Sequence, residues 1–246
     1  MTDYGDARFM KIQAWKESND YSMLCRTLDL EADGILQYGL EHIQNPVNDR
    51  IARIEIGSRS DLHRGVYCPS LVYDIFVSNI KRGRILKRLT RQSSNYYIYS
   101  FEESGRLVSA ENFINGKSVF ERLFYTDNHI YGIILDQWGH VLQGSHEIYA
   151  EGTIISYQKA LFSYHNGSYD LMNLVKEDYT YSPDGLRQCI FTQYIPNPRL
   201  CQQTMYQFQH ENGFLTKYTA FDIIGSNPYE VLGASQEYDV MISRKV

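Results

Sequence analysis

Five residues between positions 127 and 147 have side chains suited to acid–base or metal chemistry. They are Asp127, His129, His140, His146 and Glu147. The chain has seven histidines, and this is their only local gathering with carboxylates. If the strands between Ile130 and Glu147 pair, some of these groups meet at one end of a hairpin. A proton-transfer site, or a pocket for a small ligand or carbohydrate, could form there. Their spacing matches no metal motif, and turns are rich in Asp, Asn and His, so surface turns are the plainer reading. A second group is basic: Lys81, Arg82, Arg84, Lys87, Arg88 and Arg91, followed by Tyr96 and Tyr97. Cations interleaved with aromatic rings can grip single-stranded nucleic acid. A solvated hairpin whose charges guard a sheet edge is the commoner meaning. The formal net charge of -5 also disfavours a nucleic-acid partner.

Signatures of familiar enzymes are missing. There is no Gly-x-Ser-x-Gly, no phosphate loop and no Gly-x-Gly-x-x-Gly. Cys25, Cys68, Cys189 and Cys201 form no CxxC pair and no Cys/His grouping. No catalytic residue, metal or cofactor is therefore assigned. The unusual feature is tyrosine, with 21 residues against 11 Phe and 2 Trp. Tyrosine suits strands and offers a rigid ring with a polar tip. On that ground Tyr97, Tyr99, Phe101, Tyr125, Tyr179, Tyr181 and Tyr206 are the candidate binding surface.

The elements that must position these groups read mostly as strands. Tyr97, Tyr99 and Phe101 share one face of a strand, and Glu102 to Gly105 turns the chain. Asn115-Gly116 is a hairpin signal. Hairpins continue through Ile130–Leu135, His140–Gln143, Ile154–Tyr157, Leu161–Tyr164, Cys189–Tyr194, Met205–Phe208 and Phe214–Phe221. Earlier, Ala52, Ile54 and Ile56 alternate with Arg53 and Glu55 as a half-buried strand. Leu71 to Val77 reads as an apolar strand, and Ile85 to Leu89 as a return strand after a turn around Gly83. Phe9 to Trp15 is a weaker first strand. Leu28 to Ile35 reads as strand, Asp33-Gly34 turn and strand. The rival is a helix from Ser22 to His42, which Gly34 and Gly39 weigh against. Short helices would fall in residues 15–45 or 57–75.

A pattern recurs: apolar, any, apolar, polar, any, any, Gly. It fits Tyr99/Phe101/Glu102/Gly105, Tyr179/Tyr181/Ser182/Gly185, Ile133/Leu135/Asp136/Gly139 and Leu28/Leu30/Glu31/Gly34. The i, i+2 pair shares a face, the polar residue caps the turn, and glycine supplies the unusual backbone. Tyr99-Ser100-Phe101-Glu102-Glu103-Ser104-Gly105-Arg106-Leu107 resembles the YD repeat of Rhs-type and teneurin-type proteins. Tyr179-Thr180-Tyr181-Ser182-Pro183-Asp184-Gly185 is the next closest copy. The family's Asp is replaced in most copies, and the steps between glycines are uneven. The resemblance implies a ribbon of antiparallel hairpins and an association with toxin systems.

The N-terminal stretch Met1-Thr2-Asp3-Tyr4-Gly5-Asp6 shows neither a basic n-region nor an apolar h-region, and no run is long enough to span a membrane, so a cytoplasmic chain without a membrane partner is expected. The expected fold is mainly β: one domain over 1–246, less regular over 1–95, with a hairpin-repeat region over 96–246. Its antiparallel sheet would be curved or barrel-like, with few short helices. The expected function is non-catalytic protein binding through a Tyr-rich β surface. A specific form is an immunity protein that neutralises a basic bacterial toxin domain. The alternative is a β-barrel that binds a small ligand or carbohydrate, or acts on it as a hydrolase or isomerase.

Overall fold

A computed structural model describes residues 3–43, 50–58, 61–72, 81–88, 95–114, 117–225, 228–233 and 235–240, leaving aside the side chains of 3–6. Among them run two helices, α1 (Asp3–Lys16) and α2 (Asn19–His42), and fourteen strands. The strands are β1 (Arg53–Ser58), β2 (Ile85–Leu86), β3 (Asn95–Phe101), β4 (Leu107–Ile114), β5 (Lys117–Thr126), β6 (His129–Leu135), β7 (Val141–Ala150), β8 (Thr153–His165), β9 (Ser168–Ser182), β10 (Gly185–Ile195), β11 (Leu200–Glu211), β12 (Phe214–Ile224), β13 (Glu230–Val231) and β14 (Gln236–Asp239). The fold is mainly antiparallel β, built from successive hairpins, as the sequence predicts.

Turn chemistry explains the hairpins. Gly105 and Gly139 sit at φ 86 and 88, where other residues resist. Before Gly139, the Asp136 carboxylate accepts hydrogen bonds from the backbone N–H groups of Trp138 (2.8 Å) and His140 (2.9 Å). In this copy of the repeat the polar residue thus caps its turn.

The chain divides into two compact units. One comprises Ile35–Asp170. Among the described residues its strands run in the order β2-β1-β3-β4-β5-β6-β7-β8, an open path whose two ends do not pair with each other. The other unit comprises Met1–Gly34 and Leu171–Val246. Among the described residues its strands run β9-β10-β11-β12-β13, with β14 also paired to β12, and this path is open too. In this unit Tyr21 accepts a hydrogen bond from the Cys201 N–H, Tyr194 donates to Asp29 (2.7 Å) and Lys176 pairs with Glu31 (2.6 Å). These contacts hold the first half of α2 on the strands.

Two expected strands are helices. Phe9–Trp15 lies in α1, and Leu28–Ile35 lies in α2 rather than in a hairpin. Residues 1–95, read as the less regular part of an all-β chain, carry both helices. Tyr21, Cys25, Leu28, Ala32, Ile35 and Leu36 are buried at helical spacing. That burial outweighs the penalty of roughly 1 kcal/mol for each glycine in a helix. Ser18 also caps α2, its hydroxyl accepting from the Tyr21 N–H (3.2 Å). A side chain at Gly34 would meet nothing, whereas a Cβ at Gly39 would come 3.0 Å from Ile133. Leu71–Val77 lies mostly, and Asn115-Gly116 wholly, outside the described residues.

The basic stretch flanks β2, the edge strand at one end of its unit's path. Lys81, Arg84, Lys87 and Arg88 are exposed there, as edge-guarding charges would be. Arg91 lies outside the described residues.

Candidate functional site: a buried ion-pair cluster and its pocket

The site belongs to the unit formed by residues 35–170. Strand alternation puts Glu121 of β5, Gly132 of β6, Ser145 and Glu147 of β7, and Tyr157 of β8 on one face of its sheet. Residues 61–67, ending in a 3-10 turn (Gly65–Tyr67), run against that face. Tyr97 donates to the Leu62 carbonyl (3.0 Å) and Tyr99 to the Arg64 carbonyl (3.0 Å). These two bonds tie the segment to β3.

Arg64 is the centre. It takes a left-handed backbone (φ 57) and is 3% exposed. Its guanidinium meets Glu121 at two points, Nε to Oε2 (3.0 Å) and Nη2 to Oε1 (2.9 Å). It also donates to Ser145 Oγ (2.7 Å) and pairs with Glu147. Gly132 makes room: a Cβ there would lie 2.0 Å from Glu121 Oε1 and 2.3 Å from Arg64 Nη2. His63 bridges Glu121 (Nε2, 3.0 Å) and the Tyr157 hydroxyl (Nδ1, 2.7 Å). With neutral imidazole, Nε2–H donates to Glu121 and Nδ1 accepts from Tyr157. Glu147 also accepts from the Tyr149 hydroxyl (2.8 Å).

Burial pushes the His63 imidazole below its ordinary value, against the pull of Glu121. Burial would push the Glu121 carboxyl up, but the Arg64 guanidinium and the hydrogen bond from His63 outweigh it and hold it well below the usual carboxylate range. Tyr125 is pushed up to about 12, first by burial.

The chain Tyr157–His63–Glu121 has the order of a nucleophile, a base and a carboxylate. Tyr157 is 1% exposed, however, so a substrate has no route to its hydroxyl. The arrangement is a clamp: a paired and hydrogen-bonded ion cluster that fixes residues 61–67 on the sheet. Beside it opens a pocket of about 260 Å³. His63, Arg64 and Glu121 form part of its wall, with Asn112, Gln143 and Lys159.

The residues expected to act lie elsewhere. His129 and His146 hydrogen-bond (2.8 Å) on the opposite face of the sheet, where His146 stacks on Tyr131 (4.2 Å) and Tyr131 on Tyr38 of α2 (3.7 Å). His140 instead joins its turn, bonded to Asp136 (3.0 Å) and stacked on Tyr164 (3.9 Å). Asp127 is exposed in the β5–β6 turn. Glu147 points to the clamp. Alternation across β6 and β7 separates these groups, so they do not form one site. Among the described residues no three His, Cys, Asp or Glu are placed to hold a metal ion.

The tyrosine surface needs the same correction. Tyr97, Tyr99, Phe101, Tyr179 and Tyr206 are buried, and Tyr125 and Tyr181 half-buried. Their rings are large enough that the core claims them, and their hydroxyls find internal partners. Tyr179 donates to Glu177 (2.7 Å) and Tyr125 to the Leu107 carbonyl (2.7 Å). The sequence reading missed His63, Arg64 and Glu121. One signal was available: Glu121 shares the phase of Leu123, which alternation places inward.

No protein-family model and no curated protein matches the chain. Among solved structures, a porin-like protein from Bacteroides uniformis matches at 14% identity. The match covers 77% of this chain and 93% of that one, with a TM-score of 0.22. So low a score carries no argument about fold or function. Among the described residues no helix is long and apolar enough to cross a membrane.

Proposed function

We propose that this chain is a non-catalytic protein-binding module, and that its contact surface is the uncovered part of the sheet face opposite the Arg64 clamp. One observation carries the reading. Register aligns Leu86, Ile56, Ile98, Glu111 and Phe120 in a single row across β2, β1, β3, β4 and β5. Phe120 is 50% exposed, and Ile54 in the adjoining row is 61% exposed. Tyr96 and Phe113 stack alongside (4.7 Å). Five strands span roughly 20 Å, which suits a macromolecule better than a small ligand. At the Phe120 end lies a hollow of about 390 Å³ lined by Phe124, Ile133, Leu135 and Arg122. A partner's side chain would anchor in such a hollow.

The partner this reading favours is a basic protein, because the chain carries a net charge of -5 and Glu111 sits within the row. Its finer form is an immunity protein that covers a toxin domain. The likeness of Tyr99–Leu107 to the YD repeat supports that form. Four buried cysteines, none of them in a disulfide among the described residues, support a reducing compartment. The test is titration of the purified chain with the protein encoded beside it. Binding at submicromolar Kd, weakened tenfold or more by Phe120→Asp at unchanged Tm, is expected (about 1.4 kcal/mol). Absence of binding removes the immunity reading, and binding indifferent to Phe120 removes this surface.

A further inference from the structure

The pocket beside the Arg64 clamp holds two polar groups that the protein does not use. Asn112 on β4 and Gln143 on β7 both line it and are half-buried. Among the described residues neither carboxamide has a hydrogen-bond partner. The charged groups of the same wall are differently placed. Arg64, Glu121 and His63 satisfy one another, so the wall asks for no ion of either sign. Asp61 and Lys159, of opposite sign, are also among its lining residues. Leu62, Tyr97, Val119 and Ile134 supply apolar surface.

We propose that this pocket binds a neutral, polyhydroxylated ligand of monosaccharide size. A carboxamide offers a donor and an acceptor together, which matches a hydroxyl that gives and takes a hydrogen bond. A sugar ring also carries a C–H face for the apolar wall. The volume of about 260 Å³ admits one such ring and little more. An ion of either sign would meet a like charge among Asp61, Glu121, Arg64 and Lys159 in the lining. The pocket opens on the clamp side of the sheet, so this inference stands apart from the docking row on the other side.

The experiment is saturation-transfer NMR on the full chain with glucose, galactose, N-acetylglucosamine, ribose and inositol. Glucuronate and glucosamine serve as charged analogues of the same size. At least one neutral ligand should bind, and more tightly than its charged analogue. Asn112→Leu and Gln143→Leu should each weaken it about fivefold, the worth of one net hydrogen bond. Val119→Trp, at a partly exposed lining position, should abolish it by filling the space while leaving both amides in place. Silence from every neutral probe, preference for a charged analogue, or binding unchanged by these substitutions would overturn the proposal.

Discussion

The two faces of the sheet in residues 35–170 are closed in opposite ways. Each gives up a side chain to let something approach. On one face Gly132 makes room for the guanidinium of Arg64, held by Glu121, Glu147 and Ser145. On the other, Gly144 makes room for Ile35 of α2, whose Cγ2 would lie 2.3 Å from a Cβ there. The first contact is directional and charged, and it fixes where residues 61–67 sit. The second is apolar and is part of a wider packing of α2 on Ile133, Tyr131 and Phe124. A buried ion cluster tolerates no missing member, whereas an apolar contact loses stability in proportion to what is removed.

Breaking the charged side should therefore cost most. Arg64→Met leaves two carboxylates buried without their cation and should lower stability by about 3–5 kcal/mol in urea unfolding. On the apolar side, Ile35→Ala should cost about 2–4 kcal/mol. Gly144→Ala should cost about 1–3 kcal/mol by overpacking. A double-mutant cycle sharpens the contrast. The Gly144→Ala penalty should shrink in the Ile35→Ala background, while that of Gly132→Ala should persist, because its clash is with Glu121, Arg64 and Ser145.

Acid separates the faces further. His63 and Glu121 both have depressed values in the folded protein. Their contribution is complete above the unfolded values and is lost as pH falls. For His63 the loss begins near pH 6.5, and for Glu121 near 4.5. Stability should fall between about pH 7 and 5, and His63→Gln should make that decline shallower. A slope unaffected by the substitution would place the titrating group elsewhere. The smallest effect belongs to the exposed row: Phe120→Asp should change stability by less than about 0.5 kcal/mol.

How far these features could be read from the sequence follows the range of the interactions that set them. Hairpin turns are local, and Gly105, Gly139 and the Asp136 cap were legible because a few adjacent residues decide them. Helix α2 was misread because Asp33-Gly34 imitates a turn, whereas the stripe from Tyr21 to Leu36 needs sixteen residues counted together. The tyrosines were legible as strand residues. Their inward direction depends on what covers each face, and the Leu62 and Arg64 carbonyls lie 35 positions from the Tyr97 and Tyr99 that hold them. The clamp joins His63 and Arg64 to Glu121, Glu147 and Tyr157, a long-range assembly that no short motif encodes.

Val119 and Phe120 are neighbours on β5, 40% and 50% exposed, on opposite faces of the sheet. The same charge placed at each position, measured by titration with the protein encoded beside this chain, asks which face meets a partner. Phe120→Asp should weaken binding tenfold or more, about 1.4 kcal/mol, and Val119→Asp should leave it within about twofold. The reverse order, or equal loss at both positions, would contradict a docking surface on the face opposite Arg64.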